Sequence, residues 1–336
     1  MTDRLFFIAS LLAATLFAGA QTVVVHEQVA FPDKIPAGGY SGITWLGGDR
    51  YAVVTDNASR DGFYVFRLQL DSLGRITDAT NEGFRGNDGP GHDNEGVAWC
   101  ATRKSLFVSG ETDHRVRELT PDGQPTGNDL PLPAMVRKGA SRKYGLEALT
   151  YNNHTHRFWT MTESTLQGDG LQATPQNGAR NALRLLTFDD SLAPRGQFFY
   201  EMDAPEAELA TPQYAMGVSA LAALDNGELL VLEREFCVTE AKIGSTVHCK
   251  IYRVRPGDDD LLPPQAMLQG RRPLAKQLLA EWESAIGLLS FTLANYEGMC
   301  LGPKLGDGRQ VVVLVADSQG QYAGVLSDWF RTIVID

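Results

Sequence analysis

Glu95-Gly96-Val97-Ala98-Trp99, a turn, and then Ser105-Leu106-Phe107-Val108-Ser109-Gly110-Glu111 is the stretch that decides the fold, because its pattern returns four more times. The counterparts open with Ser41-Gly42-Ile43-Thr44-Trp45, Glu147-Ala148-Leu149-Thr150-Tyr151, Ser219-Ala220-Leu221-Ala222-Ala223 and Glu297-Gly298-Met299-Cys300-Leu301. Each begins with Glu or Ser, then a small residue, then an apolar one. Each is followed by a turn and a second apolar run that ends in acid: Asp56, Glu111, Glu163, Glu233 (with Glu235 close by) and Asp317.

Outward from these pairs, short apolar runs separated by turn residues fill the chain, among them Phe63-Tyr64-Val65-Phe66 and Val311-Val312-Val313-Leu314-Val315. The repeat recurs every fifty to eighty residues or so, which suits a four-stranded propeller blade with loops. The third repeat, for example, holds strands at 146–151, 158–162, 182–188 and 197–201. The last has only three, and the run Thr22-Val23-Val24-Val25 supplies the fourth. The expectation is an all-β, single β-propeller of five blades, closed by strands from both termini so that no sheet edge is left open. A sixth blade hidden in an insertion is the alternative. Only 273–290 carries helix-like spacing, around Leu274, Leu278, Leu279 and Trp282, readable as a local helix or an irregular strand.

Residues 1–20 stand apart. Arg4, the apolar run 5–17 and Ala18-Gly19-Ala20 have the order of a cleaved secretory signal. The propeller domain is therefore expected at 21–336, in a secreted or periplasmic protein with no membrane span. A net charge of −11 excludes nucleic acid as a partner, since phosphate backbones need a basic face. In an oxidising compartment Cys237 and Cys249, flanking one connection, are the expected disulfide, with Cys100 and Cys300 as buried free thiols. Trp45, Trp99, Tyr151 and Trp159 are expected between blades. Asn57-Ala58-Ser59 and Asn153-His154-Thr155 fit the N-glycosylation sequon.

In an antiparallel pair the second strand returns to where the first began. Glu95, Glu147 and Glu297 are therefore expected at one channel mouth, beside Asp56, Glu111, Glu163, Glu233 and Asp317. Crowded carboxylates raise one another's pKa unless a cation, basic side chains or protons neutralise them. Hard oxygen ligands at several positions suit Ca²⁺, so Glu95, Glu111, Glu147, Glu297, Asp56 and Asp317 are candidate metal ligands. Glu95, Glu147 and Glu163 are candidate catalytic residues. Arg60, Arg115, Arg234 and Lys143, with Arg142 beside it, are candidates to grip an anionic substrate group. The Gly-rich acidic segment 86–94 is a candidate cation-wrapping loop or lid. No Gly-x-Ser-x-Gly elbow is present, so a metal-activated water is favoured over an acyl-serine route.

With Asp93-Asn94-Glu95-Gly96-Val97-Ala98, Gly145-Leu146-Glu147-Ala148-Leu149, Tyr296-Glu297-Gly298-Met299 and Thr162-Glu163-Ser164 in view, the chain resembles the phytase-like esterase family ("esterase-like activity of phytase") over about 31–335. The resemblance implies a secreted propeller hydrolase of esters, including phosphate esters. Propeller phytases are calcium-dependent and six-bladed, and a count of five departs from them.

The expected function is thus a monomeric, Ca²⁺-assisted hydrolase of small ester or phosphate-ester substrates, working at one mouth of the channel. The rival expectations are a non-catalytic carbohydrate- or ligand-binding propeller and a lactonase-type hydrolase with Asn57 and Asn94 among its ligands.

Overall fold

The computed structural model describes residues 22–141, 143–208, 211–289, 291–324 and 326–336, so the expected signal segment 1–20 and Arg142 lie outside the described residues. β-Branched and aromatic runs bounded by Gly, Asp and Asn form twenty strands among the described residues. After β1 (Val23–Val25), blade 1 is β2 (Tyr40–Gly47), β3 (Arg50–Thr55), β4 (Arg60–Leu70) and β5 (Ile76–Pro90). Blade 2 is β6 (Asn94–Cys100), β7 (Ser105–Gly110), β8 (Arg115–Leu119) and β9 (Pro125–Asp129), followed by the short helix α1 (Ala134–Gly139). Blade 3 is β10 (Leu146–Asn152), β11 (Arg157–Thr162), β12 (Ala182–Asp189) and β13 (Pro194–Glu201). Blade 4 is β14 (Gln213–Ala223), β15 (Leu229–Val238), β16 (Thr246–Val254) and β17 (Lys276–Ala285). Blade 5 is β18 (Asn295–Lys304), β19 (Gln310–Asp317), β20 (Phe330–Ile335) and, outermost, β1.

Among the described residues the propeller thus has five blades and no sixth. β1 pairs antiparallel with β20, Val24 opposite Val334, and the two termini close the ring. The first strands of successive blades contact one another around the channel, β18 meeting β2. The segment with helix-like spacing is strand β17, held along its length by β16.

The core lies between blades. Val54 and Val65 of blade 1 pack with Val97, Leu106 and Val108 of blade 2. Phe107 of blade 2 meets Phe158 of blade 3 at 4.4 Å between ring centroids. Removing either buried ring costs about 3–5 kcal/mol. Tyr151 and Trp159 are buried as expected, whereas Trp45 and Trp99 are only half-buried.

One irregularity recurs in every blade and positions the site. Where the first strand leaves the mouth, the register with the second slips by one residue. The slip falls at Ser41, Glu147, Ser219 and Glu297, and over Glu95-Gly96 in blade 2. A bulge leaves one residue unpaired and re-aims its side chain; here it is the Glu or Ser that opens each repeat. The small residue that follows has a steric cause. A Cβ on Gly96 would lie 2.4 Å from the carbonyl oxygen of Glu147, and one on Gly42 would lie 2.2 Å from that of Glu95.

The expected disulfide is absent: all four cysteines are free and buried. Cys237 lies opposite Thr246, and Cys249 lies opposite Arg234. The two cysteines are therefore three register positions apart on paired strands. That offset is too long for a bridge, and its odd parity sends the side chains to opposite faces of the sheet.

Candidate active site at the acidic channel mouth

The five bulges and the five strand ends beside them meet at one mouth. Asp56, Glu111 and Glu163 are each fixed by a backbone bond reaching to the residue ahead of the first strand: Asp56 N–H to Gly39 O (3.1 Å), Glu111 N–H to Asp93 O (2.9 Å), Glu163 N–H to Gly145 O (2.8 Å). Asp317 ends β19 opposite Asn295. These four acids and the bulge residues Glu95, Glu147 and Glu297 line a cavity of about 360 Å³, together with Arg234, Lys143, Tyr144, Tyr214 and Asn295. Seven carboxylates contributed by four of the five blades thus share one opening.

Blade 4 supplies the counter-charge. Counted from its bulge, the position held by Asp56, Glu111, Glu163 and Asp317 in the other blades is Arg234, not Glu233. Side chains alternate along a strand, so Glu233 points away from the mouth. It accepts hydrogen bonds from the Tyr200 hydroxyl (2.6 Å), Lys276 Nζ (2.6 Å) and Asp203 N–H (3.1 Å). Arg234 is 5% exposed. Its Nη1 donates to Glu297 Oε1 at 2.7 Å and Asn295 Oδ1 at 2.6 Å, and its Nη2 donates to Glu163. Burial opposes the Arg234 charge, yet Glu163, Glu297 and Glu147 more than offset it and its pKa rises.

One guanidinium does not balance seven acids. Burial first, and then Glu147, Glu297 and Asp56, push the Glu95 pKa well above the carboxylate range. Burial, Glu163 and Glu297 do the same for Glu147, and burial, Glu297 and Asp56 for Asp317. Glu111 is raised to about 7 by burial, although it accepts the Gly145 N–H at 2.7 Å. Asp56 is raised to about 7 by burial and by Glu297 and Asp93. Glu163 and Glu297 are also raised, mainly by burial, with Arg234 pulling the other way. The mouth therefore demands protons or a cation near neutral pH.

Two features fit a hard cation. Asp93, Glu95 and Glu111 can bring one oxygen each within 4.8 Å of one another, a spread that Ca–O distances of about 2.3–2.6 Å span. Asp56 Oδ1 is buried with no hydrogen-bond partner among the described residues. Asp93 belongs to the segment expected to wrap a cation. Most of that segment is strand β5, and Asp93 itself reaches the cluster from a left-handed conformation (φ 59°). Sequence reading did not single it out, because it lies just ahead of the repeat.

A family model described as "Phytase-like: Esterase-like activity of phytase" matches residues 35–319. The chain belongs to the Phytase-like family. No curated protein matches this Phytase-like chain. Among solved structures it is similar to a streptogramin B lyase (13% identity, TM-score 0.38, covering 94% of this chain and 98% of that one). It is also similar to an endo-arabinase from Bacteroides thetaiotaomicron VPI-5482 (12% identity, TM-score 0.46, covering 90% and 96%). Neither likeness assigns a substrate to the Phytase-like chain.

Of the basic residues expected at this Phytase-like mouth, the structure brings in Arg234 and the exposed Lys143, and leaves out two. Arg60 is exposed and stands 3.7 Å from Asp88. Arg115 is exposed and paired with Asp129 on the neighbouring strand. Both begin the third strand of their blade, one strand further from the channel than the acids. Asn94 is also committed: its Nδ2 donates to Asp61 Oδ1 at 3.1 Å, and its Oδ1 accepts from Arg117. No helix among the described residues is long and apolar enough to cross a membrane.

Proposed function

We propose that the protein is an exported, Ca²⁺-assisted ester hydrolase, acting on small ester or phosphate-ester substrates at the acidic mouth. The observation that carries this reading is the convergence of seven buried or half-buried carboxylates around a single arginine, whose Nη1 and Nη2 are already taken by Glu297, Asn295 and Glu163. Such a mouth repels an anionic substrate until a cation occupies it. Asp93, Glu95 and Glu111 would hold that cation, with Asp56 Oδ1 available beside them. A bound divalent ion supplies polarisation of a carbonyl or phosphoryl oxygen and acidification of water.

The protein groups divide the remaining work. Glu147, whose proton is held well above the usual range, donates to the leaving oxygen. Glu111 and Asp56, held at about 7 by burial in the absence of the cation, would give up their protons as it binds. Glu163 is a positioning residue: with Glu297 it fixes Arg234, which pulls the pKa of both acids down against their burial. Lys143, exposed at the rim with its Nζ 5.1 Å from the Tyr144 ring centroid, attracts the anionic group. Turnover of p-nitrophenyl phosphate and p-nitrophenyl acetate, with Ca²⁺ and with chelator, tests the reading. Glu147→Gln is expected to remove at least ~10²-fold of the rate in a folded protein, and unchanged turnover in that variant rejects it.

A second reading, a ligand-binding propeller without turnover, is favoured by a different cavity. At the opposite mouth Trp45, Trp99, Tyr151, Asn153, Lys304 and Gln310 line a space of about 400 Å³. Aromatic faces beside polar groups suit a sugar ring. Calorimetry with a glycan panel beside the ester assays separates the two: heat without turnover selects the binder. A lactonase with Asn94 as ligand is disfavoured, because that side chain is occupied by Asp61 and Arg117.

A further inference from the structure

Antiparallel alternation puts the connection between β15 and β16 (239–245), and the described residues of those between β17 and β18 (286–289 and 291–294) and between β19 and β20 (318–324 and 326–329), on the same face as the acidic mouth. The first two are bound together. Gly244 N–H donates to Ile286 O at 2.8 Å, and Ile286 N–H to Ser245 O at 3.0 Å. Ile286 also bridges to Phe291 across its own turn. Ile286 and Leu293 are buried and root the turn in the core. Above them Leu288 is 80% exposed, Leu289 99%, Phe291 58% and Ile243 53%. Residues 284–294 contain no charged side chain. A contiguous exposed apolar patch of this kind marks an interaction site.

The occupant is set by size and charge. The tip rests on four exposed side chains, far fewer than the roughly 20–30 residues a side of a stable protein interface. Two copies of a chain with net charge −11 also repel each other. Beside the tip, Lys242 Nζ lies 3.4 Å from the Tyr322 hydroxyl and 4.8 Å from its ring centroid. A tyrosine and a lysine flanking exposed leucines are the side chains that settle at a lipid–water boundary, the apolar parts below and the polar heads above.

We infer that the tip formed by Ile243, Leu288, Leu289 and Phe291 inserts into a zwitterionic lipid surface and seats the acidic mouth against it. The substrate of the mouth is then an ester presented at a lipid interface. Only that last step rests on the hydrolase reading; the anchoring is read by binding, without turnover.

The test is flotation of the purified protein with phosphatidylcholine vesicles, at low and moderate salt. Wild type is expected to float. Leu288→Ser combined with Leu289→Ser is expected to lose at least tenfold in vesicle partitioning while its circular dichroism is unchanged. Met267→Ser, exposed in the connection between β16 and β17 at the opposite mouth, is expected to float like wild type. Three results overturn the inference: wild type stays with the soluble fraction, the double variant floats undiminished, or sedimentation velocity shows a lipid-free dimer that the double variant dissolves. If flotation succeeds while ester turnover is absent, the hydrolase reading falls and the anchor stands.

Discussion

Arg234 and Glu163 form a buried ion pair across the junction of blades 4 and 3, and through Asn295 and Glu297 the same guanidinium reaches blade 5. The pair occupies equivalent strand-end positions in neighbouring blades. One substitution of sign in a ring of acids thus ties three blades together where their mutual repulsion is greatest.

Replacing Arg234 by Met leaves buried carboxylates without their counter-charge, and breaking a buried pair in this way costs about 3–5 kcal/mol. Urea unfolding at pH 7 is expected to show that loss, and at pH 5 the loss is expected to shrink as Glu163 and Glu297 take up protons. An equal loss at both values contradicts the electrostatic role.

The pH dependence of stability has a definite sign. Glu95, Glu111, Glu147, Asp56 and Asp317 all have folded pKa values above those of free carboxyls. The folded state therefore binds more protons than the unfolded chain, and stability falls as pH rises from about 4 through about 7. At about 1.4 kcal/mol for each unit of pKa displacement, the melting temperature in chelator is expected to drop by roughly 10 °C between pH 5 and pH 8. Added Ca²⁺ is expected to reverse much of the drop at pH 8 and little of it at pH 5.

Gly96→Ala is expected to destabilise by about 2–4 kcal/mol, because its Cβ would meet the Glu147 carbonyl at 2.4 Å and backbone cannot swing aside as a side chain does. Thermal melts check this. Arg115→Ala, which cuts an exposed pair, is expected to stay within about 1 kcal/mol of wild type and to leave ester turnover unchanged.

The cysteines give a chemical check. Titration of the denatured protein with a thiol reagent is expected to count four free thiols without prior reduction. In the native state Cys237 and Cys249 are expected to react slowly, since burial raises both thiols to about 12 and the thiolate is the reactive form. Two thiols instead of four in the denatured protein contradicts the strand register of β15 and β16.

Much of this was legible in the chain. The order Glu or Ser, small, apolar, returning before an acid-terminated strand, gave blade number, ring closure and the gathering of Glu95, Glu147 and Glu297, because antiparallel pairing leaves no other place for them. What escaped was anything that depends on counting by single residues. Glu233 and Arg234 are neighbours of opposite facing, and only the bulge at Ser219 decides which one enters the mouth. Cys237 and Cys249 flank one connection, but their register offset of three separates them. Arg60 and Arg115 follow the acids in sequence yet begin the next strand outward. Asp93 lies outside the repeat and is placed by its backbone conformation.

The central claim is that the crowded carboxylates at this mouth accept a hard cation in exchange for protons. Calorimetric titration of the protein with Ca²⁺ at pH 7, in two buffers of different ionisation enthalpy, measures both at once. Saturable binding with release of about one proton or more per ion is predicted, since Asp56 and Glu111 titrate at about 7, and Glu95→Gln is predicted to abolish the saturable heat. Absence of binding, or binding with no buffer dependence, contradicts the account.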